Sequence, residues 1–240
     1  MIKLIKKEVD YVKPIIGIIG NEDYSYLNRN SIGVFENYRK AIIKYGGVPI
    51  LILPPQEINY HETSTKNNLN LNEDEKQILI AQIKLCNGIV IPGGHKIFKY
   101  HKFICDYCNK NNLPLLGICM GMQTMCDYNN DNLNIKIENE LHKSEDDYVH
   151  KVEIKKNSKL FDILNEKEIL VNSFHNYKVP NSGSYEISAT CDDVIEAIEK
   201  KEDLFNIGLQ WHPEKNYDKD LNSKKIFISF IEAAKLYYRV

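Results

Sequence analysis

Several features that would point to a particular class of partner are missing from this 240-residue chain. Its formal net charge is only −2, so no excess of one sign indicates nucleic acid or an anionic membrane surface. No apolar run approaches the length of a membrane span, and neither a GxGxxG nor a P-loop pattern indicates nucleotide binding. With 43% hydrophobic and 27% charged residues, the composition is that of a soluble globular protein.

Signals for secretion and for a disulfide framework are also absent. Residues 1–13, MIKLIKKEVDYVK, lack the apolar core and small-residue cleavage site of a signal peptide, so we expect a cytoplasmic protein whose six cysteines are reduced. Cys105 and Cys108 form a CxxC that shares a helix face with His101. No fourth ligand is evident, which favours a packed helix face over a redox or zinc site. No metal and no cofactor is predicted.

The order of predicted elements indicates one α/β domain over residues 1–240. Continuously apolar strands alternate with amphipathic helices in the first half, which predicts a mostly parallel central sheet flanked by helices. Short, partly alternating strands follow and predict a short antiparallel extension, closed by a helix from about Asn222 to Tyr238. Loops are expected at 21–31, 56–72 and 128–147. The strands are predicted at 14–20, 48–55, 87–94, 113–119, 149–155, 168–174, 185–190, 194–199 and 205–211, and the earlier helices at 34–47, 73–86 and 101–112.

The most informative stretch is LPLLGICMG, residues 113–121. An apolar strand runs into a sharp turn with Cys119 at the corner and glycines on both sides, followed by a helix. This is the arrangement of a nucleophile elbow, with sulfur in place of a serine hydroxyl. The first turn of the helix favours a thiolate through its N–H groups and dipole. A buried structural cysteine is the alternative for this motif taken alone.

A base and an oxyanion hole can be assigned around this cysteine. In GLQWHPE, residues 208–214, His212 follows a strand and Glu214 lies close enough to orient its ring. A tetrahedral intermediate needs two N–H donors. One is the amide of Met120, and the second is expected from the Gly93–Gly94 turn.

Together, IPGG, LLGICMGMQ and GLQWHPE resemble the class I glutamine amidotransferases, and most nearly the γ-glutamyl hydrolases of peptidase family C26. The resemblance spans almost the whole chain. It implies the fold described above, a Cys119–His212–Glu214 triad, and hydrolysis of a γ-glutamyl group through a thioester. It also implies that Gln123 holds the glutamyl group and that Ser173, Phe174 and His175 line its pocket.

Two departures from the family concern the substrate. Met120 replaces an arginine common in bacterial relatives, and YNNDNLN, residues 128–134, replaces a glycine-rich segment beside the active site. The leaving amine is therefore the least transferable inference. A small-molecule γ-glutamyl substrate is expected. The alternatives are a glutaminase subunit that supplies ammonia to a separate synthase, and a non-enzymatic binding protein. The sequence does not fix the oligomeric state, and a homodimer remains open.

Overall fold

A computed structural model describes residues 12–24, 30–56, 70–127, 135–137, 142–203 and 205–237. Most of the loop predicted at 56–72, namely 57–69, lies outside the described residues, as do 128–134 and 138–141 of the loop predicted at 128–147. The strands are β1 Ile15–Ile19, β2 Asn21–Tyr24, β3 Asn30–Gly33, β4 Val48–Ile52, β5 Gly88–Ile91, β6 Leu115–Ile118, β7 Ile135–Lys136, β8 His150–Ile154, β9 Glu168–Val171, β10 Tyr177–Lys178, β11 Glu186–Cys191, β12 Val194–Glu199 and β13 Asn206–Leu209. The helices are α1 Glu36–Lys44, α2 Glu73–Ile83, α3 Lys99–Asn111, α4 Met120–Asp127, α5 Lys159–Leu164 and α6 Leu221–Leu236.

A nine-stranded sheet with the order β4-β1-β5-β6-β13-β12-β11-β8-β9 organises the molecule. Strands β4, β1, β5, β6 and β13 pair in parallel, and the remaining pairs out to β9 are antiparallel. The predicted α/β class with a parallel sheet and an antiparallel extension is confirmed. Two further strand pairs, β2–β3 and β7–β10, stand apart from this sheet.

Helices cover both faces of the sheet because the parallel strands are apolar on both sides. In β1, Ile16 and Ile18 face the core that contains α1, α5 and α6, whereas Ile19 faces the core that contains α2, α3 and α4. Each helix contributes the side of its surface that carries large apolar residues, such as Phe227 and Phe230 of α6. Among the described residues, no helix is long and apolar enough to cross a membrane.

Two local expectations need correction. The sequence predicts a turn-rich loop at 21–31, but β2 and β3 form an antiparallel pair from Asn21↔Gly33 to Tyr24↔Asn30, and 25–29 lie outside the described residues. Backbone hydrogen bonds hold this pair, and its polar sequence carries no alternating apolar signal. The short helix α5 is absent from the predicted elements. Ser158 caps it by accepting a hydrogen bond from the Phe161 N–H, and Leu160 and Leu164 pack into the core.

Candidate active site

The carboxyl ends of β5, β6 and β13 lie side by side in the sheet. The Gly93–Gly94 turn follows β5, Cys119 follows β6, and His212 follows β13. Ligands of parallel α/β sheets bind at this edge. The three motifs singled out in the sequence therefore meet at one place because their strands are neighbours.

Cys119 lies at a strained corner between β6 and α4. Its φ of 52° is in the left-handed region that non-glycine residues rarely adopt, and its N–H donates to the Leu209 carbonyl at 2.7 Å. The two flanking glycines are required by close packing. A Cβ on Gly117 would lie 2.4 Å from Met125 Sδ, and one on Gly121 would lie 2.1 Å from the Ile91 carbonyl oxygen. The predicted elbow is thus present in its geometry as well as in its sequence.

His212 is held on two sides. The side chain of Asn172 donates to the His212 carbonyl and accepts from the His212 N–H, both at 2.8 Å. On the ring, Nδ1 lies 2.7 Å from Glu214 Oε1, in the short 3₁₀ helix Pro213–Asn216. Gly93 allows the ring its position, because a Cβ there would lie 2.9 Å from His212 Cε1 and 3.5 Å from Cys119 Cβ.

The electrostatics of this group favour a protonated imidazole. Burial by itself lowers the pKa of His212, but the charges of the Glu214 carboxylate and the Cys119 thiolate outweigh it and raise the pKa well above its usual value. The ring Nε2 is buried and has no regular hydrogen-bond partner among the described residues, but Cys119 lies close enough for its charge and its side chain to raise the pKa of the ring. The arrangement can therefore hold a thiolate beside an imidazolium.

Tyr38 and Asn172 are residues of this site that the sequence analysis did not identify. The Tyr38 hydroxyl accepts from the Gly93 N–H at 2.9 Å, and its pKa is raised well above normal by burial and by the charge of Glu214. Because the Gly93 N–H donates to the Tyr38 hydroxyl, the oxyanion role predicted for this turn stays a prediction for the Gly94 N–H. Asn172 precedes the predicted pocket residues Ser173–His175, and Tyr38 lies within the helix predicted at 34–47.

A cavity of about 480 Å³ opens at the elbow. Of the predicted substrate residues, Gln123, Phe174 and His175 line it, as do Met120 and the Gly93–Gly94 turn. Gln123 Nε2 donates to the Tyr177 carbonyl at 3.1 Å and to Gln210 Oε1 at 3.2 Å. Gln123 therefore also holds residues 173–177, which we call the pocket segment, against the end of β13.

Ser173 does not line this cavity. It is buried, and its hydroxyl lies 3.4 Å from His142 Nδ1. Its neighbours Phe174 and His175 take the positions on the cavity wall. Cys105 and Cys108 are buried in the core with His101, as the packed-face interpretation requires.

Comparisons with known proteins agree with this geometry. Residues 98–214 match the family Peptidase C26. A protein of Schizosaccharomyces pombe, predicted to be a glutamine amidotransferase, is 30% identical over 238 residues, which cover 85% of each chain. The γ-glutamyl-CDP-amidate hydrolase of Campylobacter jejuni is 30% identical over 139 residues, covering 57% of this chain and 59% of that protein. The GMP synthase of Dictyostelium discoideum is 33% identical over 156 residues, which span 60% of this chain and 20% of the synthase.

Among solved structures, a Thermoplasma acidophilum protein predicted to be one of the subunits of a GMP synthase superposes with a TM-score of 0.65 at 17% identity. The match covers 94% of this chain and 96% of that one, and it supports the fold. The elbow and the His212–Glu214 pair agree with the match to relatives along most of the chain. The chain belongs to the glutamine amidotransferase-like peptidase C26 family of hydrolases.

Proposed function

We propose that the chain hydrolyses γ-glutamyl amide bonds of small molecules through a thioester on Cys119. The observation that carries this proposal is the strained Cys119 elbow at the floor of the cavity, beside an imidazole that is 2.7 Å from a carboxylate. A nucleophile, a base and an orienting group in this order are the components of covalent acyl transfer.

In the first half of the reaction, His212 holds the proton of Cys119 and the thiolate attacks the γ-carbonyl carbon. A C–S bond forms, and the carbonyl electrons move onto oxygen, where the N–H groups of Met120 and Gly94 stabilise the oxyanion. The C–N bond then breaks, and the His212 proton goes to the leaving amine.

In the second half, His212 takes a proton from water as the hydroxyl attacks the thioester. The C–S bond breaks, glutamate leaves, and the thiolate–imidazolium pair is restored. Glu214 accepts a hydrogen bond from Nδ1 throughout, which keeps Nε2 directed at the reacting groups and stabilises the charged ring.

The test is glutamate release by the purified protein from a panel of glutamine, γ-glutamyl-aminobutyrate, other γ-glutamyl amines, γ-glutamyl-CDP-amidate and folate polyglutamates. We expect release from at least one member, and after acid quench a glutamyl adduct on the peptide that contains Cys119. Cys119→Ala should lose both signals, whereas Cys191→Ser, which changes a thiol outside the cavity, should keep both. No release from any member, or activity of Cys119→Ala near the wild-type value, would contradict the proposal.

A glutaminase subunit for a separate synthase is the second candidate. The similarity to a GMP synthase supports it, because the matched region covers 60% of this chain and a fifth of that synthase. In that case glutamine should be hydrolysed only after a synthase protein is added. Equal glutamine turnover with and without the added protein would exclude this candidate.

A further inference from the structure

Four buried side chains converge behind the cavity wall. Three are histidines, and the fourth is a glutamate at the centre of the group: His142, His150, His175 and Glu196, which we call the His–Glu cluster. Each offers one ligand atom, and these atoms all lie within 4.8 Å of one another. The four positions are spread from 142 to 196 and form no recognised metal-binding motif, which is why the sequence predicts no metal site here.

The distances in the cluster exceed those of hydrogen bonds. Glu196 Oε1 lies 3.5 Å from His142 Nδ1, 3.6 Å from His150 Nε2 and 3.7 Å from His175 Nε2. Charge-assisted N–H···O bonds are about 2.7–2.9 Å long. Both oxygens of Glu196 and both of these Nε2 atoms are buried without a hydrogen-bond partner among the described residues. Unsatisfied buried polar atoms in this number are costly unless something binds them.

Hydrogen bonds outside the cluster set where the ring protons lie. His175 Nδ1 is 3.1 Å from the Tyr177 carbonyl oxygen, and His150 Nδ1 is 3.4 Å from that of Lys151. A carbonyl can only accept, so in the neutral rings the proton is on Nδ1 and the lone pair is on Nε2. Two imidazole lone pairs therefore share a small buried space with a carboxylate, which is the arrangement that a cation stabilises. Metal-bound histidines are oriented in the same way by carbonyls on their second nitrogen.

We propose that the His–Glu cluster binds one zinc ion through three imidazole nitrogens and one carboxylate oxygen. Tetrahedral zinc with bonds of about 2.0–2.1 Å holds its ligand atoms about 3.3 Å apart. The separations from Glu196 Oε1 are 3.5–3.7 Å, and no two ligand atoms are more than 4.8 Å apart. Rotations of the side chains that bring these atoms closer by up to about 1.5 Å would complete the site. Nitrogen and oxygen donors in a four-ligand set suit zinc, whereas calcium and magnesium prefer oxygen ligands.

A metal bound in the His–Glu cluster would stabilise the cavity wall and would not contact the reacting atoms. His175 lines the cavity, and its N–H donates to the His142 carbonyl at 2.8 Å, so a metal would fasten the pocket segment to β8 and β12. All four positions are filled by protein atoms, which leaves none for an activated water. Zinc binding itself does not depend on the proposed hydrolase activity.

The test uses tag-free protein stripped with a chelator and then titrated with zinc by calorimetry. We expect one zinc ion per chain and, with free zinc at 100 times Kd, a rise in Tm of about 5–10 °C. Cobalt(II) should give the visible bands of a tetrahedral site without the near-ultraviolet thiolate band that a cysteine site would show. Repeating the titration with Cys119→Ala excludes the thiol of the active site.

The matched variants are Glu196→Gln and His150→Gln, compared with His101→Gln outside the cluster. The first two should weaken zinc binding at least tenfold and lose the rise in Tm, whereas the third should bind as the wild type does. Circular dichroism checks that each is folded; if a cluster variant does not fold, the cobalt spectrum of the wild type decides. No stoichiometric zinc binding by the wild type, a thiolate band, or unchanged binding by folded cluster variants would overturn the proposal.

Discussion

Two buried glutamates face histidines in this molecule, and they do so in different ways. Glu214 lies 2.7 Å from the ring of His212 alone, two positions along the chain. Glu196 lies 3.5–3.7 Å from the rings of the three cluster histidines, which come from distant segments. The first pair is a formed hydrogen bond that orients one base, and the second leaves room for an ion between its members. In the two proposals the same residue types thus serve different chemistries, according to distance.

The largest difference between the two sites should appear on removing one histidine from each. We expect His212→Gln to lower kcat/KM at least about 1,000-fold, because the variant loses the group that moves the proton. His150→Gln should lower kcat/KM less than tenfold, since no residue of the His–Glu cluster moves a proton in the proposed mechanism. Steady-state glutamate release on the best substrate measures both. Equal losses in two folded variants would mean that the sites are not functionally separate.

Replacing each glutamate by glutamine should affect the pH dependence of kcat/KM differently at the two sites. Glu214→Gln should lower kcat about 100-fold, which is a smaller loss than the one expected for His212→Gln. The carboxylate of Glu214 raises the pKa of His212, so its removal lets the ring lose its proton at lower pH. The alkaline limb of the kcat/KM profile should therefore move to lower pH. Glu196→Gln should leave this limb in place and kcat within about threefold. An equal shift of the alkaline limb in both variants would contradict the proposal that the two sites act independently.

The residues of the proposed active site could be named from the sequence, and those of the proposed zinc site could not, for a physical reason. Cys119, His212 and Glu214 follow strands, and the local signals of elbow, turn and strand end survive in short motifs. Parallel neighbours then bring these ends together. The cluster depends on the register of β8 against β11 and of β11 against β12, which no motif in the sequence encodes.

Single supporting residues were missed on similar grounds. Tyr38 occupies an ordinary apolar position of α1, and only the tertiary structure shows its hydroxyl against the Gly93 N–H. Asn172 lies next to the residues named from the family resemblance, but its paired hydrogen bonds to His212 cross from the end of β9 to the end of β13. The hairpin β2–β3 has a polar sequence whose backbone pairing leaves no apolar pattern to detect.

Loss of the contact between Tyr38 and the Gly93 turn should lower kcat less than replacement of His212 or Glu214. Tyr38→Phe keeps the ring and removes the oxygen that accepts from the Gly93 N–H, which leaves a buried donor unpaired. We expect kcat to fall about tenfold and the free energy of unfolding to fall by about 1–3 kcal/mol. Tyr100→Phe changes a second buried tyrosine outside the cavity and serves as the control. Unchanged kcat in Tyr38→Phe would show that the turn needs no such support.

A third kind of buried histidine gives the reference for both sites. Among the residues that the structure describes, no carboxylate pairs with His101. Its Nδ1 accepts from the Phe98 N–H at 3.1 Å, and burial lowers its pKa to about 3. In the unfolded chain an imidazole titrates near 6.5, so as the pH falls below that value the unfolded state takes up the proton first. Stability is therefore complete above about pH 6.5 and is lost progressively until the folded ring also titrates, near pH 3.

Urea unfolding of the wild type and of His101→Gln measures this contribution. Between about pH 7 and about pH 5.5, His101 should account for a loss of about 1 kcal/mol in the free energy of unfolding. Glutamine offers an oxygen to the Phe98 N–H but does not titrate, so the variant should lose less stability over the same interval. In protein stripped of metal, part of the dependence should remain, because burial also lowers the pKa of His142 to about 4. Identical pH dependence in the two proteins would show that His101 does not stay neutral in the fold.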